Sequence, residues 1–167
     1  MQFLTAKTVL FIRFLGLICL VFLLLRSPLT VCSANITVLL GQAMNLPIVQ
    51  VTPQNPLFGI LAVFIALLAI SDLIPLLAEN VAYFESLVPT RLFFFFVLGS
   101  FCLLSEYAIV ANNVVFCYAF LEIWLNFLVY NNLRDEKYYR AKEYLEQHGE
   151  ELRDMANAQV MPIVDEE

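Results

Sequence analysis

Three carboxylates, Asp72, Glu106 and Glu122, and one guanidinium, Arg13, interrupt otherwise apolar runs of sequence. An ionisable side chain at the centre of a membrane helix costs about 2.5–3.5 kcal/mol on insertion scales, so each needs a partner or a task. Depth along a helix suggests the partners. Arg13 lies about five residues, or roughly 8 Å, into the first apolar run, and Asp72 lies at a similar distance from the end of the second. The two runs are consecutive and antiparallel. Arg13 and Asp72 are therefore expected to face each other as a hydrogen-bonded pair, which relieves a desolvation cost of several kcal/mol per ion. The competing expectation is that Arg13 reaches out to the headgroups while Asp72 caps the helix end near Pro75.

Glu106, near the end of the third run, and Glu122, about eight residues into the fourth, could share a depth on adjacent antiparallel helices. Two carboxylates that close would raise the pKa of one and favour its protonated form. Tyr118, Glu122, Asn126 and Tyr130 recur every four residues, a polar face on an apolar helix that should point inward. Three tasks suit such a face: hydrogen bonds that hold helices together, a cavity for a lipid or sterol headgroup, or a proton or ion relay. Paired carboxylates alone do not make an enzyme. The single histidine, His148, lies far off in the C-terminal tail. Cys19, Cys32, Cys102 and Cys117 form no CxxC pair and read as inert, buried thiols. No catalytic residue, cofactor or metal ligand is expected.

The elements that must hold these groups follow from composition. Of 167 residues, 61% are hydrophobic and 14% charged, more apolar sequence than a water-soluble domain of this size needs. Four runs, 8–25, 57–77, 92–110 and 114–133, are each near the length that crosses a bilayer core, and in lipid they must be helices. The fold class is all-α: a polytopic four-helix transmembrane bundle over residues 1–133, a cytosolic helix over 134–158, and a disordered acidic end over 159–167. In the third run Phe93–Phe96 opens the span, and Gly99 with Ser100 allows close packing. The first run has a rival reading as a signal peptide, since Cys32-Ser33-Ala34 resembles a cleavage site. Its upstream extension through Val9–Ile12 favours a retained helix.

Residues 131–167 carry five Lys/Arg against ten Asp/Glu, while the first 130 carry four against five. The acidic balance belongs to the tail and argues against a nucleic-acid partner. Lys7, Arg91, Arg134, Lys137, Arg140 and Lys142 fall on one side of a four-span topology, with Arg26 dissenting. The positive-inside rule then places both termini in the cytosol. The segment 27–56 faces the lumen as an interfacial cap or a re-entrant lining. Within it Val31–Leu46 reads as a short helix, and Asn35-Ile36-Thr37 is a glycosylation sequon. In the tail Tyr138, Ala141, Leu145, His148, Leu152 and Met155 recur by threes and fours, a narrow seam that is either solvated or docks a partner helix.

The stretch Asp72–Arg91 is unusual for a connection between spans. Pro75 sits at a helix end, Glu79 and Asn80 meet the cytosol, and Tyr83, Phe84 and their neighbours make an apolar patch suited to the membrane interface. Pro89 and Thr90 open the third span, and Arg91 anchors it at the headgroups. This block, together with Gln42–Pro47, Phe11–Phe14 and Glu122–Asn131, resembles the fungal family named for increased loss of mitochondrial DNA. The resemblance runs from the first span to the start of the tail. It implies an integral protein of the endoplasmic reticulum membrane, with no established catalytic activity and a loss phenotype in mitochondrial genome maintenance. It also favours a retained first span.

The leading expectation is a non-enzymatic scaffold or subunit of a membrane complex supporting lipid homeostasis. Its partners would be membrane lipids and another membrane protein, docked through Glu79, Tyr83, Phe84, Arg91 and the tail helix. The alternative is a lipid- or sterol-binding protein, or an intramembrane isomerase, using Glu106 and Glu122. A transporter is a poorer fit, because four spans show no inverted repeat.

Overall fold

The computed structural model describes residues 5–50, 52 and 55–160, with side chains to residue 149. Six helices follow one another: α1 (Ala6–Arg26), α2 (Pro28–Cys32), α3 (Asn35–Ala43), α4 (Leu57–Leu77), α5 (Val81–Leu104) and α6 (Asn113–Val160). No strand occurs among the described residues. Four of the helices, α1, α4, α5 and the first part of α6, are long and apolar enough to cross a membrane. The chain divides into two compact units, Met1–Asn132 and Leu133–Glu167.

The helix ends are written in local chemistry. Thr5 caps α1 by accepting from the Thr8 N–H. Ser27 closes it, and Pro28, with its fixed φ and missing N–H, opens α2 at once. A turn at Ser33 then splits the expected Val31–Leu46 helix, so α3 begins only at Asn35. Its C-terminus is a Schellman motif: the Leu46 N–H reaches the Gly41 carbonyl at 2.8 Å, and Asn45 takes φ 56°. The same motif ends α4, where the Asn80 N–H reaches the Pro75 carbonyl at 3.0 Å and Glu79 takes φ 53°. Asn80 immediately caps α5 by accepting from the Tyr83 N–H at 3.1 Å.

That cap corrects the expected third span. The helix does not open at Pro89 but at Val81, and Pro89 lies inside it. It also stops at Leu104 rather than 110, because Ser105 turns the chain and accepts from the Tyr107 N–H. At the other end of the chain, α6 continues through Val160, so residues 159 and 160 are helical rather than disordered. The expected acidic end from residue 161 onward lies outside the described residues.

An apolar core joins α1 to α4. Leu17 and Leu24 pack with Ala62, Ile65 and Ala69, flanked by Phe14, Val21, Phe58 and Tyr118. On α4 the buried positions are Ala62, Ile65, Ala69, Asp72 and Leu76, alternating by threes and fours as a packed seam must. Ala62 and Ala69 let the backbones approach closely, which is how helices associate in lipid. Asp72 occupies the next position of that seam, and Arg13 lies on the matching stripe of α1 between Leu10 and Leu17. At the other end of these helices, Gly41 of α3 is pressed against Asn113 at the start of α6. The Asn113 N–H donates to the Pro47 carbonyl, and its Oδ1 accepts from the Val49 N–H. Among the cysteines, Cys32, Cys102 and Cys117 are buried, whereas Cys19 is exposed, contrary to the expectation of burial.

Candidate functional site

Each of the four long helices contributes one charged side chain to a single network inside the first unit. Arg13 of α1 donates through Nη1 to Asp72 Oδ2 of α4. Its other edge makes a fork with Glu122 of α6, Nε to Oε2 and Nη2 to Oε1, both at 3.0 Å. Asp72 also receives a second guanidinium: Arg91 of α5 donates through Nη1 at 2.7 Å and Nη2 at 2.6 Å. Glu122 is completed within its own helix, by the Tyr118 hydroxyl at 3.1 Å and Asn126 Nδ2 at 2.9 Å. The charges alternate, Arg91, Asp72, Arg13, Glu122, and sum to zero. Bidentate guanidinium–carboxylate pairs are the strongest and most directional contacts such groups make.

Burial deepens along that order. Side-chain exposure is 18% at Arg91, 7% at Asp72, 5% at Arg13 and 2% at Glu122. A charge this deep costs several kcal/mol unless it is answered, and here every charged member has an opposite partner. At the open end of the same helices, Lys7 hydrogen-bonds Glu79 at 2.6 Å. That hydrogen bond and the adjacent ammonium charge hold the exposed Glu79 carboxyl below the usual carboxylate range.

The structure brings Arg13 and Asp72 together, and it redistributes the other expected sites. Glu106 and Glu122 do not meet. Glu106 lies exposed in the connection after α5, because that helix ends at Leu104. The partner of Glu122 is a guanidinium, not a second carboxylate. A cavity or isomerase site that needs both carboxylates is therefore not assembled. Tyr118 and Asn126 do serve Glu122, but Tyr130 is 38% exposed. A strict four-residue row drifts around a helix: eight residues past Glu122 the turn is about 80° off, whereas seven residues return to within about 20°. The buried position is accordingly Val129.

Arg91, expected only as a headgroup anchor, also joins the buried network, since both its terminal nitrogens are held by Asp72. Sequence reasoning alone misses this role, because a proline such as Pro89 ordinarily marks a helix start. The available signal was Asn80 as a cap, which places Arg91 about three turns into the helix. Of the expected docking residues, Tyr83 and Glu79 are exposed, but Phe84 is buried and presents no surface. The Asn35 side chain is exposed at the start of α3, while Thr37 of the same sequon is buried, its hydroxyl donating to the Val31 carbonyl. Among the described residues, no cluster of His, Cys, Asp and Glu has the arrangement of a metal site.

These features define an all-helical protein with four helices long and apolar enough to span a membrane, cross-linked by one charge-balanced network. The family model for increased loss of mitochondrial DNA protein 1 matches residues 4–143. Protein ILM1 of Saccharomyces cerevisiae is 40% identical over 137 residues, covering 81% of this chain and 68% of the yeast protein. Protein ilm1 of Schizosaccharomyces pombe is 25% identical over 114 residues, covering 68% of this chain and 71% of that protein. No solved structure matches the chain significantly. The chain belongs to the increased-loss-of-mitochondrial-DNA family.

Proposed function

We propose that this protein is a non-enzymatic, multi-pass protein of the endoplasmic reticulum membrane, a scaffold or subunit of a complex that supports lipid homeostasis. Mitochondrial genome maintenance would then depend on it indirectly, in keeping with the family's name. The observation that carries the reading is the closure of the ion network. Arg13, Asp72, Arg91 and Glu122 answer one another, which suits groups that hold helices together better than groups that turn over a substrate. Large apolar side chains left exposed on the long helices, among them Leu15, Phe64, Phe93 and Trp124, suit contact with lipid and with a membrane-embedded partner.

Both termini belong in the cytosol on this reading. Arg13 and Arg91 are engaged inside the helices, so sidedness rests on Lys7, Arg134, Lys137, Arg140 and Lys142 against Arg26. The test is extraction in a mild detergent with crosslinking inside intact membranes. A crosslinked membrane-protein partner is expected in the endoplasmic reticulum fraction. Recovery of the chain alone, uncrosslinked, would refute the scaffold role, and recovery in mitochondrial membranes would refute the location.

A further inference from the structure

We infer that the outer edge of the Arg91 guanidinium, at the surface between α4 and α5, is a binding site for the phosphate of an anionic phospholipid. A guanidinium is a donor-only group whose N–H groups fan out in a plane. Arg91 directs Nη1 and Nη2 at Asp72, and its Nε–H meets no protein acceptor among the described residues. In water such a donor costs nothing. Arg91 sits where water is scarce: its partner Asp72 is five residues, about 7.5 Å, inside the end of α4, and an unanswered donor in hydrocarbon is expensive.

The charge order gives the sign of the ligand. From the surface inward the network runs cation, anion, cation, anion, with exposure falling from 18% at Arg91 to 2% at Glu122. Although neutral in sum, it presents its positive end outward. An anion at Arg91 completes the alternation.

The surroundings select a lipid as the anion's carrier. Side chains on a helix lean toward its N-terminus, so Arg91 reaches toward the Asn80 end of α5, where Lys7 and Glu79 mark the polar boundary. Tyr83, Leu87 and Phe94 lie along one flank of Arg91, within about 80° around the helix, and are exposed or half-buried. Phe84, Val88 and Phe95 on the other flank are buried. A headgroup phosphate on the guanidinium would leave an acyl chain running along Phe94 into the bilayer. Planar, two-point recognition of phosphate is what a guanidinium does better than an ammonium. The inference requires that α4 and α5 span the bilayer. It does not depend on a role in lipid homeostasis, which partner crosslinking tests separately.

The experiment is reconstitution of the full chain in nanodiscs of phosphatidylcholine alone or with phosphatidic acid, followed by native mass spectrometry. The wild type should retain a phosphatidic acid molecule through gas-phase activation that strips phosphatidylcholine. The double variant Arg91→Met/Asp72→Asn keeps the network neutral, with Arg13 still on Glu122, and should lose that molecule while keeping its melting temperature in phosphatidylcholine. Lys7→Gln should retain it. Equal retention by the double variant would overturn the site, as would equal loss in Lys7→Gln, which would mean diffuse attraction. If the double variant does not fold, Arg91→Lys decides: a several-fold drop in retention supports the site, and unchanged retention overturns it. Displacement by inorganic phosphate in the buffer would overturn the assignment to a lipid.

Discussion

Replacing Arg13 with leucine removes three hydrogen bonds at once, one to Asp72 and two to Glu122. The two carboxylates are left in unequal states. Asp72 keeps both contacts to Arg91. Glu122 keeps only neutral donors, Tyr118 and Asn126, at 2% side-chain exposure. Interhelical hydrogen bonds between membrane helices average about 0.6 kcal/mol, so bond-counting alone predicts a loss near 2 kcal/mol. Stripping a buried carboxylate of its cation costs more, about 3–5 kcal/mol. The second effect governs here, because Arg13 is the only cation bonded to Glu122 among the described residues. A loss of about 3 kcal/mol is expected, roughly a hundredfold or more in the folding equilibrium. The double variant Arg13→Leu/Glu122→Leu removes the stranded charge as well and should recover most of that loss. Reversible unfolding in mixed micelles, titrated with dodecyl sulfate and followed by circular dichroism, measures all the variants. Arg13→Leu within about 0.5 kcal/mol of wild type would refute the reasoning, that being the range of an inconsequential surface change. So would a double variant that loses the sum of the two single losses.

Three further outcomes follow from the geometry. A methyl group at Gly41 would stand 2.5 Å from Asn113 Cβ, so Gly41→Ala should cost about 1–3 kcal/mol by overpacking; Gly16→Ala, with no atom within 4 Å, should leave the thermal melt unchanged or slightly raised. Tyr118→Phe deletes a 3.1 Å bond to Glu122 and should cost about 0.6 kcal/mol in the same titration, whereas Tyr130→Phe should be silent; equal effects would deny the drift of the polar row. Lys7 holds the Glu79 carboxyl below its ordinary value, so that contact stabilises the fold above the unfolded pKa and fades as pH falls through the folded one. Melts of wild type and Glu79→Gln should therefore differ slightly at neutral pH and converge in acid, and a gap that widens in acid would sink the assignment.

The four apolar helices are legible in the sequence because length and composition leave few alternatives in lipid. Depth counting suffices to bring Arg13 and Asp72 to one level, since it needs only the helical rise. What it cannot supply is rotation about each axis. Arg13 turns its second edge to Glu122 because both lie on buried stripes, Val9–Arg13–Leu17 on one helix and Glu122–Asn126–Val129 on the other. A four-residue polar row conceals that stripe by drifting off it at Tyr130. The Glu106 error has a different origin, a helix end misplaced by six residues. Hydropathy alone runs on from Leu104 through Ala108–Val110 and overlooks that Ser105 turns the chain. The role of Arg91 was hidden by Pro89, whose usual place is the first turn of a helix. Here the Asn80 cap starts the helix earlier, and the proline is carried inside it.

A network of this kind is a weak source of net stability, because well-packed apolar residues in its place would often do as well. Its stronger effect is on which arrangement of helices is chosen. In lipid, apolar faces have little hydrophobic reason to prefer one another over acyl chains, so packing at Leu17, Ile65 and Ala69 leaves helix rotation and sliding loosely specified. The ion pairs do not. A slip of one residue turns a helix by about 100° and slides it by about 1.5 Å, enough to break a two-point guanidinium–carboxylate fork. Each fork ties a different pair of helices: α1 to α6 through Arg13 and Glu122, and α4 to α5 through Asp72 and Arg91. The Arg13–Asp72 contact joins the two pairs. Removing that one guanidinium breaks the buried ionic ties of α1 both to α4 and to α6 while leaving the α1–α4 apolar packing in place, which is why Arg13 is the most informative residue to change.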